Sequence, residues 1–374
     1  MFNHADVLQQ KPGPSRGHWY VLAAMAATLA VSLLVVQSCG TVPEPPPPLV
    51  PPVVLKVPPA TPPHAPVFRS MVYPTPQTNL LEADGLGCLQ PTASGRPESG
   101  AYGDVRPGKF HEGIDIAPTK RDRAGRPLDP VGAVANGTVG HINRIAGNSN
   151  YGTYVVLIHN DELGDIYTLY AHLAKVTPGL YVGQQVEAGT VLGTMGHTPV
   201  NIIPAARGHL HFEIGLISNA RFREWFRGRR LKPDHGVYNG WNLMAIDPIA
   251  VFATHKRDPC FRFLDHLRSL PRAFDVALAT PKQLDFFRRY PKLWEGPEFI
   301  PGAVVIECAA NGVPISGRNA GDEEKLLLAG NRAVVLRASD TANEGTGAHL
   351  VYPNGKGGWK FGGHSQLWLE ILTY

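Results

Sequence analysis

Cysteine is scarce in this chain: four in 374 residues, with no Cys-x-x-Cys pair among them. That excludes a disulfide scaffold and a structural zinc site built on paired cysteines. Charge is scarce as well, at 18% against the usual quarter, which argues against a coiled coil and against a disordered acidic or basic protein. The net charge of +4 is spread thinly. A nucleic-acid binder would gather its Lys and Arg on one stripe, so no nucleic-acid partner is expected, whereas work beside an anionic polymer or membrane surface fits. No helical period of any length appears before about residue 221. Glycine and proline are plentiful, 40 and 35 residues, and the length calls for two or three domains.

The first segment reads as an export signal. Lys11 and Arg16 precede an uncharged, largely apolar run from Trp19 to Val36, long for a signal core and just long enough to span a bilayer. The run ends in Gln37-Ser38-Cys39-Gly40, which resembles a bacterial lipoprotein cleavage site, Gln37 standing where the pattern prefers a small residue. Two readings follow for residues 1–39: a lipoprotein-type signal with a lipid on Cys39, or an uncleaved signal anchor. Both place the rest outside the cytoplasmic membrane, and Gly40 after the cysteine points to the outer membrane, facing the periplasm. Residues 40–76 form a linker, with 14 prolines between Pro43 and Pro76. Such a stretch favours polyproline II and reaches on the order of 100 Å at about 3.1 Å per residue. A cell wall is the simplest target at that distance.

From about Leu86 the pattern turns to short β-type runs separated by glycine: Val131 to Ile142, Gly152 to His159, Ile166 to His172 and Thr190 to Met195. The fold class is mainly β: an antiparallel sheet domain with an open groove, residues 77–253, followed by a small α+β domain, residues 254–374. Three histidine-bearing segments lie on the β domain in order: His111-Glu112-Gly113-Ile114-Asp115, then Tyr170-Ala171-His172-Leu173, then His209-Leu210-His211-Phe212-Glu213. Side chains alternate faces along a strand, so residues two or four apart share a face. His111 joins Asp115, and His209 joins His211, with Ile114, Ile116, Leu210 and Phe212 turned to the core. Glu213 shares the face of His211 and reads equally well as its hydrogen-bond partner or as a solvated strand-end carboxylate. His141, His159 and His197 read as structural or surface residues.

Any one of these motifs arises by chance; their ordered combination does not. It resembles the lysostaphin-type, LytM-like zinc metalloendopeptidases, which cut peptide bonds in peptidoglycan. The resemblance runs from about Tyr102 to Phe252. It takes in Tyr102-Gly103-Asp104-Val105-Arg106, Ala135-Asn136-Gly137-Thr138-Val139, Tyr151-Gly152-Thr153-Tyr154-Val155, the run Val182 to Gly189, and Asp247-Pro248. It implies one Zn²⁺ per chain on His111, Asp115 and His211, with His209 and His172 as catalytic histidines that do not bind the metal. Two neutral imidazoles and a carboxylate leave the ion a net positive charge and an open position. The resemblance also implies an endopeptidase acting on peptidoglycan cross-links, a D,D-endopeptidase given the outer-membrane signal. Two other readings stay open: a non-catalytic wall-binding or amidase-activating module, and a zinc endopeptidase acting on exported proteins. Two stretches depart from the family pattern. The loop His197 to Gly208 is longer and more apolar than usual, and Asp122 to Asp129 has the character of an insertion. Tyr102 is a candidate for the groove wall.

In the tail, the basic run Arg221 to Arg230 reads as a solvated helix. Thr280-Pro281-Lys282-Gln283 resembles a helix start, and Ala303 to Ala310, Arg332 to Ser339, His349 to Tyr352 and Leu367 to Tyr374 resemble strands. Asn311-Gly312 is a hairpin signal. No catalytic constellation appears in this part.

Overall fold

The computed structural model describes residues 66–82, 85–91, 97–103, 110–339 and 350–374. The expectations for residues 1–39, for the linker up to residue 65 and for Asp104 to Arg106 lie outside them. Among the described residues no helix is long and apolar enough to cross a membrane.

In chain order the elements are β1 (Ile114–Ile116), β2 (Pro130–Gly132), β3 (Gly137–Asn143), β4 (Tyr154–Asp161), β5 (Gly164–Ala171), β6 (Leu173–Val176), β7 (Gln185–Val186), β8 (Val191–Met195) and β9 (Leu210–Ile217). Then come α1 (Phe222–Gly228), β10 (Leu243–Ile246), α2 (Pro248–Arg257) and α3 (Phe263–Arg268). The remainder is β11 (Phe274–Thr280), α4 (Asp285–Arg289), β12 (Gly302–Cys308), β13 (Pro314–Asn319), α5 (Asp322–Leu328), β14 (Ala333–Ala338), β15 (Val351–Pro353), β16 (Trp359–Phe361) and α6 (Ser365–Thr373). The fold is mainly β, as the glycine-punctuated alternation predicts.

The largest sheet runs β1-β9-β5-β4-β3-β7, with β10 sharing the β1 edge of β9, and every pairing in it is antiparallel. A three-stranded sheet, β2-β8-β6, accompanies it. The expected single strand from Val131 to Ile142 is therefore two, because the chain passes from the small sheet to the large one between Gly132 and Gly137. β9 is buried along its whole length. Leu210, Phe212, Ile214 and Leu216 face the main core with Ile166, Tyr170, Val155 and Leu157. The opposite face carries His211 and Glu213 beside a smaller cluster of Tyr151, Tyr154, Tyr167, Leu169 and Ala171. α2 closes the main core: Asp247 caps it by accepting from the Ile249 amide at 2.9 Å, Pro248 opens its first turn, and Phe252 lies against Phe212.

The C-terminal part is an antiparallel sheet, β13-β12-β11-β14, with α5 against it, the α+β arrangement expected. Asn311-Gly312 makes the turn between β12 and β13, Gly312 taking φ +85. Two expectations fail here. The helix begins at Asp285, not at Thr280-Pro281, because Thr280 still pairs with Gly302 as the last residue of β11. Leu367 to Tyr374 belongs to α6, whose Ile371 joins Phe222, Trp225 and Phe226 of α1 in one apolar cluster. The basic run does form a helix end with exposed charges that are paired locally: Arg223 and Arg227 with Asp234, Arg229 with Glu370, Arg221 with Glu224.

Candidate metal centre

Asp115 is the middle residue of β1 and stands opposite His211 in the register with β9. On the other side of β9, His211 faces Ala171 of β5, whose methyl group leaves room for an imidazole. His111 precedes β1 and is not itself a strand residue. It reaches the centre because the chain passes tightly over β9 at Gly113, where a Cβ would fall 2.3 Å from the Phe212 carbonyl oxygen. His172 follows β5 in a left-handed conformation, φ 61, a posture that costs a side-chain-bearing residue roughly 1–2 kcal/mol.

Four histidines converge, and each has one ring nitrogen committed. His111 Nδ1 donates to the Ala101 carbonyl at 2.8 Å, His172 Nδ1 to Thr198 O at 2.7 Å and His209 Nδ1 to Arg207 O at 2.7 Å. His211 Nε2 donates to Glu213 Oε1 at 2.9 Å. Carbonyl and carboxylate oxygens only accept, so these contacts place a proton on the outer nitrogen of each ring, and each ring turns its other nitrogen inward, an electron-pair donor whenever the ring is neutral. His111 Nε2 lies 3.1 Å from Asp115 Oδ1 and 3.2 Å from His211 Nδ1, and His211 Nδ1 lies 3.0 Å from Asp115 Oδ1. His209 Nε2 approaches the same oxygen at 3.3 Å.

Three electron-pair donors within 3.2 Å of each other require a positive charge between them. The donors of a tetrahedral zinc site with bonds of about 2.0–2.1 Å stand about 3.3–3.5 Å apart, a few tenths of an ångström from what is seen. The donor set, two imidazoles and a carboxylate on rigid strands, fits zinc. The charged groups of the cluster also act strongly on one another. Burial pushes the Asp115 carboxyl up, but the imidazoles of His111 and His209 outweigh it and hold it well below the usual range. Burial pulls His211 down, while Asp115 and Glu213 push it up to about 10. Burial, reinforced by His209 and His211, keeps His172 well below its ordinary value and so neutral.

Glu213 is fully buried beneath His211. Its Oε1 also accepts from the Tyr151 hydroxyl at 2.7 Å and its Oε2 from Tyr167 at 2.8 Å. Burial raises this carboxyl, but His211 and the two tyrosines bring it below the ordinary value. It is thus the hydrogen-bond partner of His211, and the solvated reading is excluded. Tyr102 is tied inward by its hydroxyl, which donates to Ala245 O at 2.9 Å and accepts from Asn311 Nδ2 at 2.5 Å. His159 is buried, with Nδ1 on Asn136 O, and His197 donates to Ile203 O. Sequence reasoning did not find the supporting tyrosine Tyr167, nor Thr198 and Arg207, whose backbone carbonyls orient two of the histidines. A carbonyl has no residue signature.

The structure thus defines a β-rich domain with a buried His-Asp-His cluster whose donor atoms could hold a metal ion. Residues 109–222, which contain every member of that cluster, match Peptidase family M23. The fold is similar to solved structures over part of the chain. The catalytic domain of the antimicrobial peptidase lysostaphin from Staphylococcus simulans shares 23% identity over 41% of this chain and 89% of that one, TM-score 0.26. Csd3 from Helicobacter pylori shares 20% over 40% of this chain and 30% of its own, TM-score 0.25. A zinc containing peptidase from Vibrio cholerae shares 26% over 30% of each chain, TM-score 0.22. The matched part therefore spans less than a third of the length of the latter two. No curated protein matches the sequence.

Proposed function

We propose that the domain is a zinc endopeptidase hydrolysing the peptide cross-links of bacterial peptidoglycan, the D-alanyl bond to diaminopimelate in particular. The observation that carries this reading is the convergence of three candidate donors, His111, Asp115 and His211, with the two further imidazoles of His172 and His209 beside them. The family match supports peptidase chemistry, and the complete donor set favours catalysis over a binding or amidase-activating role. His111, Asp115 and His211 would hold the ion, which supplies Lewis acidity toward a peptide carbonyl and an attacking water. His209 and His172 each keep one proton on a backbone carbonyl and present the other nitrogen to the site. One of them can take the proton of the attacking water and deliver it to the leaving amine, and the other can steady the charge on the carbonyl oxygen only once its inward nitrogen carries a proton, since a bare lone pair would repel that charge. Glu213 fixes the ring of His211 and raises its basicity. Export through residues 1–39 and a membrane tether at Cys39, periplasm-facing on the outer membrane, complete the proposal.

The test is zinc content and release of cross-linked muropeptides from purified sacculi by the full chain in detergent. We expect about one zinc per chain and cleavage, both lost in His211→Ala. Zinc without cleavage of sacculi but with cleavage of exported proteins would move the substrate. Absence of zinc would overturn the ligand assignment.

A further inference from the structure

The stretch that departs from the family pattern before β2 is an ordered hairpin. Leu128 N donates to Lys120 O at 3.0 Å, Asp122 N to Arg126 O at 2.9 Å, and Arg121 bridges Pro127. Its base is pinned by buried Asp129, which accepts from Thr119 N at 2.6 Å and Lys120 N at 3.1 Å. Its tip is closed by Asp122 Oδ1, which takes the amides of Ala124 and Arg126. The hairpin lies against the other departure, the loop before β9: a Cβ added at Gly125 would lie 3.3 Å from Ala206, and Pro127 sits over Gly208, where a Cβ would come within 2.6 Å of the proline ring.

From this hairpin Arg121 donates four hydrogen bonds to three separate segments. Nη1 reaches Gly125 O at 3.0 Å and Ala205 O at 3.1 Å; Nη2 reaches Gly208 O and Gln90 Oε1, both at 2.9 Å. A planar guanidinium has the fork to hold two carbonyls of one turn at once, which a lysine lacks. The turn it grips is 205–208, itself closed by Gly208 N on Ala205 O at 3.0 Å. With the carbonyls of 205 and 208 committed to Arg121, the intervening carbonyl of Arg207 is the one turned to His209 Nδ1, at 2.7 Å. The far end of the same loop carries Thr198 O, the partner of His172 Nδ1. The three residues of the donor cluster, by contrast, are held by β1, β9 and Ala101.

We propose that Arg121 is the positioning residue for His209: by fixing the 205–208 turn it keeps Arg207 O on Nδ1 and so directs Nε2 toward Asp115. Its catalytic meaning rests on the endopeptidase reading above; the positioning itself does not. The experiment uses full-length wild type, Arg121→Ala and Arg121→Lys, the milder variant guarding against misfolding. Zinc content, kcat and KM on sacculi, nitrogen-15 NMR of labelled histidine (His209 assigned with His209→Gln) and amide exchange are read in parallel. In both variants zinc should remain at the wild-type level and kcat fall by about tenfold to a hundredfold, the loss expected when a catalytic group is displaced by about 1 Å. KM should change by less than about threefold. His209 should lose its pure Nδ1–H signature, and amides 205–209 should exchange faster while those of β4 and β5 do not. Wild-type kcat together with an unchanged His209 tautomer would overturn the inference, and so would loss of zinc along with rate, which would make Arg121 a brace for the whole centre. If wild type neither binds zinc nor cleaves, the endopeptidase reading fails, and the tautomer and exchange results still decide whether Arg121 positions His209.

Discussion

At the scale of single residues, the centre depends on a carboxylate that never faces the reacting groups. Glu213 takes the Nε2 proton of His211 and the hydroxyls of Tyr151 and Tyr167, so its charge is what makes the inward nitrogen of His211 a strong donor. Glu213→Gln keeps the shape and removes the charge. Chelator competition should show zinc affinity lowered by about 10- to 100-fold, the usual effect of losing such a partner, with little change in melting temperature. Glu213→Ala should also unfold more easily, because two buried hydroxyls and an imidazole lose their acceptor at about 1–3 kcal/mol each. Wild-type zinc affinity in Glu213→Gln would refute this role. His111, Asp115, His172, His209 and His211 stood out in the sequence as a set through their ordered motifs and a family pattern, although only Asp115 and His211 lie on strands. The carbonyls of Ala101, Thr198 and Arg207, which set every tautomer but one, carry no side-chain signal and appear only once the loops are folded.

The elements were legible where alternation is regular and blurred where a neighbour decides. β4, β5 and β8 fall within two residues of their expected bounds at each end. Leu367 to Tyr374 reads as a strand, yet it winds into α6, whose Ile371 packs on α1 while Leu372 enters the main core and Trp368 lies against Phe274. The His-x-x-x-Asp spacing also works for a reason the strand pattern does not contain. His111 lies before β1 and is brought in by the close pass at Gly113, whose missing Cβ leaves 2.3 Å to a backbone oxygen of β9 and 3.0 Å to Glu213 Cγ. Backbone on a buried strand cannot yield as a flexible side chain does. Gly113→Ala should therefore cost about 1–3 kcal/mol of stability, as overpacking does, and weaken zinc binding with it, because β1 and His111 must both shift. Gly147→Ala, where a Cβ meets nothing within 4 Å, is the control and should stay within about 0.5 kcal/mol of wild type. Urea titration and metal competition on the two variants check this; equal behaviour would disprove the steric account.

At the scale of the molecule, one apolar core joins segments that the sequence cannot link, because their partners are far apart in the chain. It contains Phe68 from the N-terminal described stretch, Phe212 from β9 and Phe286 and Tyr290 from the C-terminal part. Tyr290 ties into the largest sheet directly, donating to Asp165 O at 2.8 Å and accepting from Ile217 N at 2.9 Å. His159 sits within this junction, fully buried, with its ring 5.3 Å from that of Phe68 and Nδ1 on Asn136 O at 2.8 Å. Burial pulls its pKa down to about 4, against the small upward pull of the Asn136 bond. The unfolded chain, with an ordinary histidine near 6.5, takes up the proton first as pH falls. Stability from a neutral buried His159 is thus present in full above about pH 6.5, declines between there and about pH 4, and falls no further below. A shift of this size corresponds to about 3 kcal/mol at most, with a slope of up to about 1.4 kcal/mol per pH unit. Urea unfolding of wild type and His159→Gln across pH 4–7 isolates it, since every other group is the same in both. The wild-type curve should be steeper by up to that slope in the window, and the two should run parallel above pH 7. Parallel curves throughout would mean that His159 takes up its proton inside the folded core, and that the junction between N-terminal segment, sheet and C-terminal part is open to water.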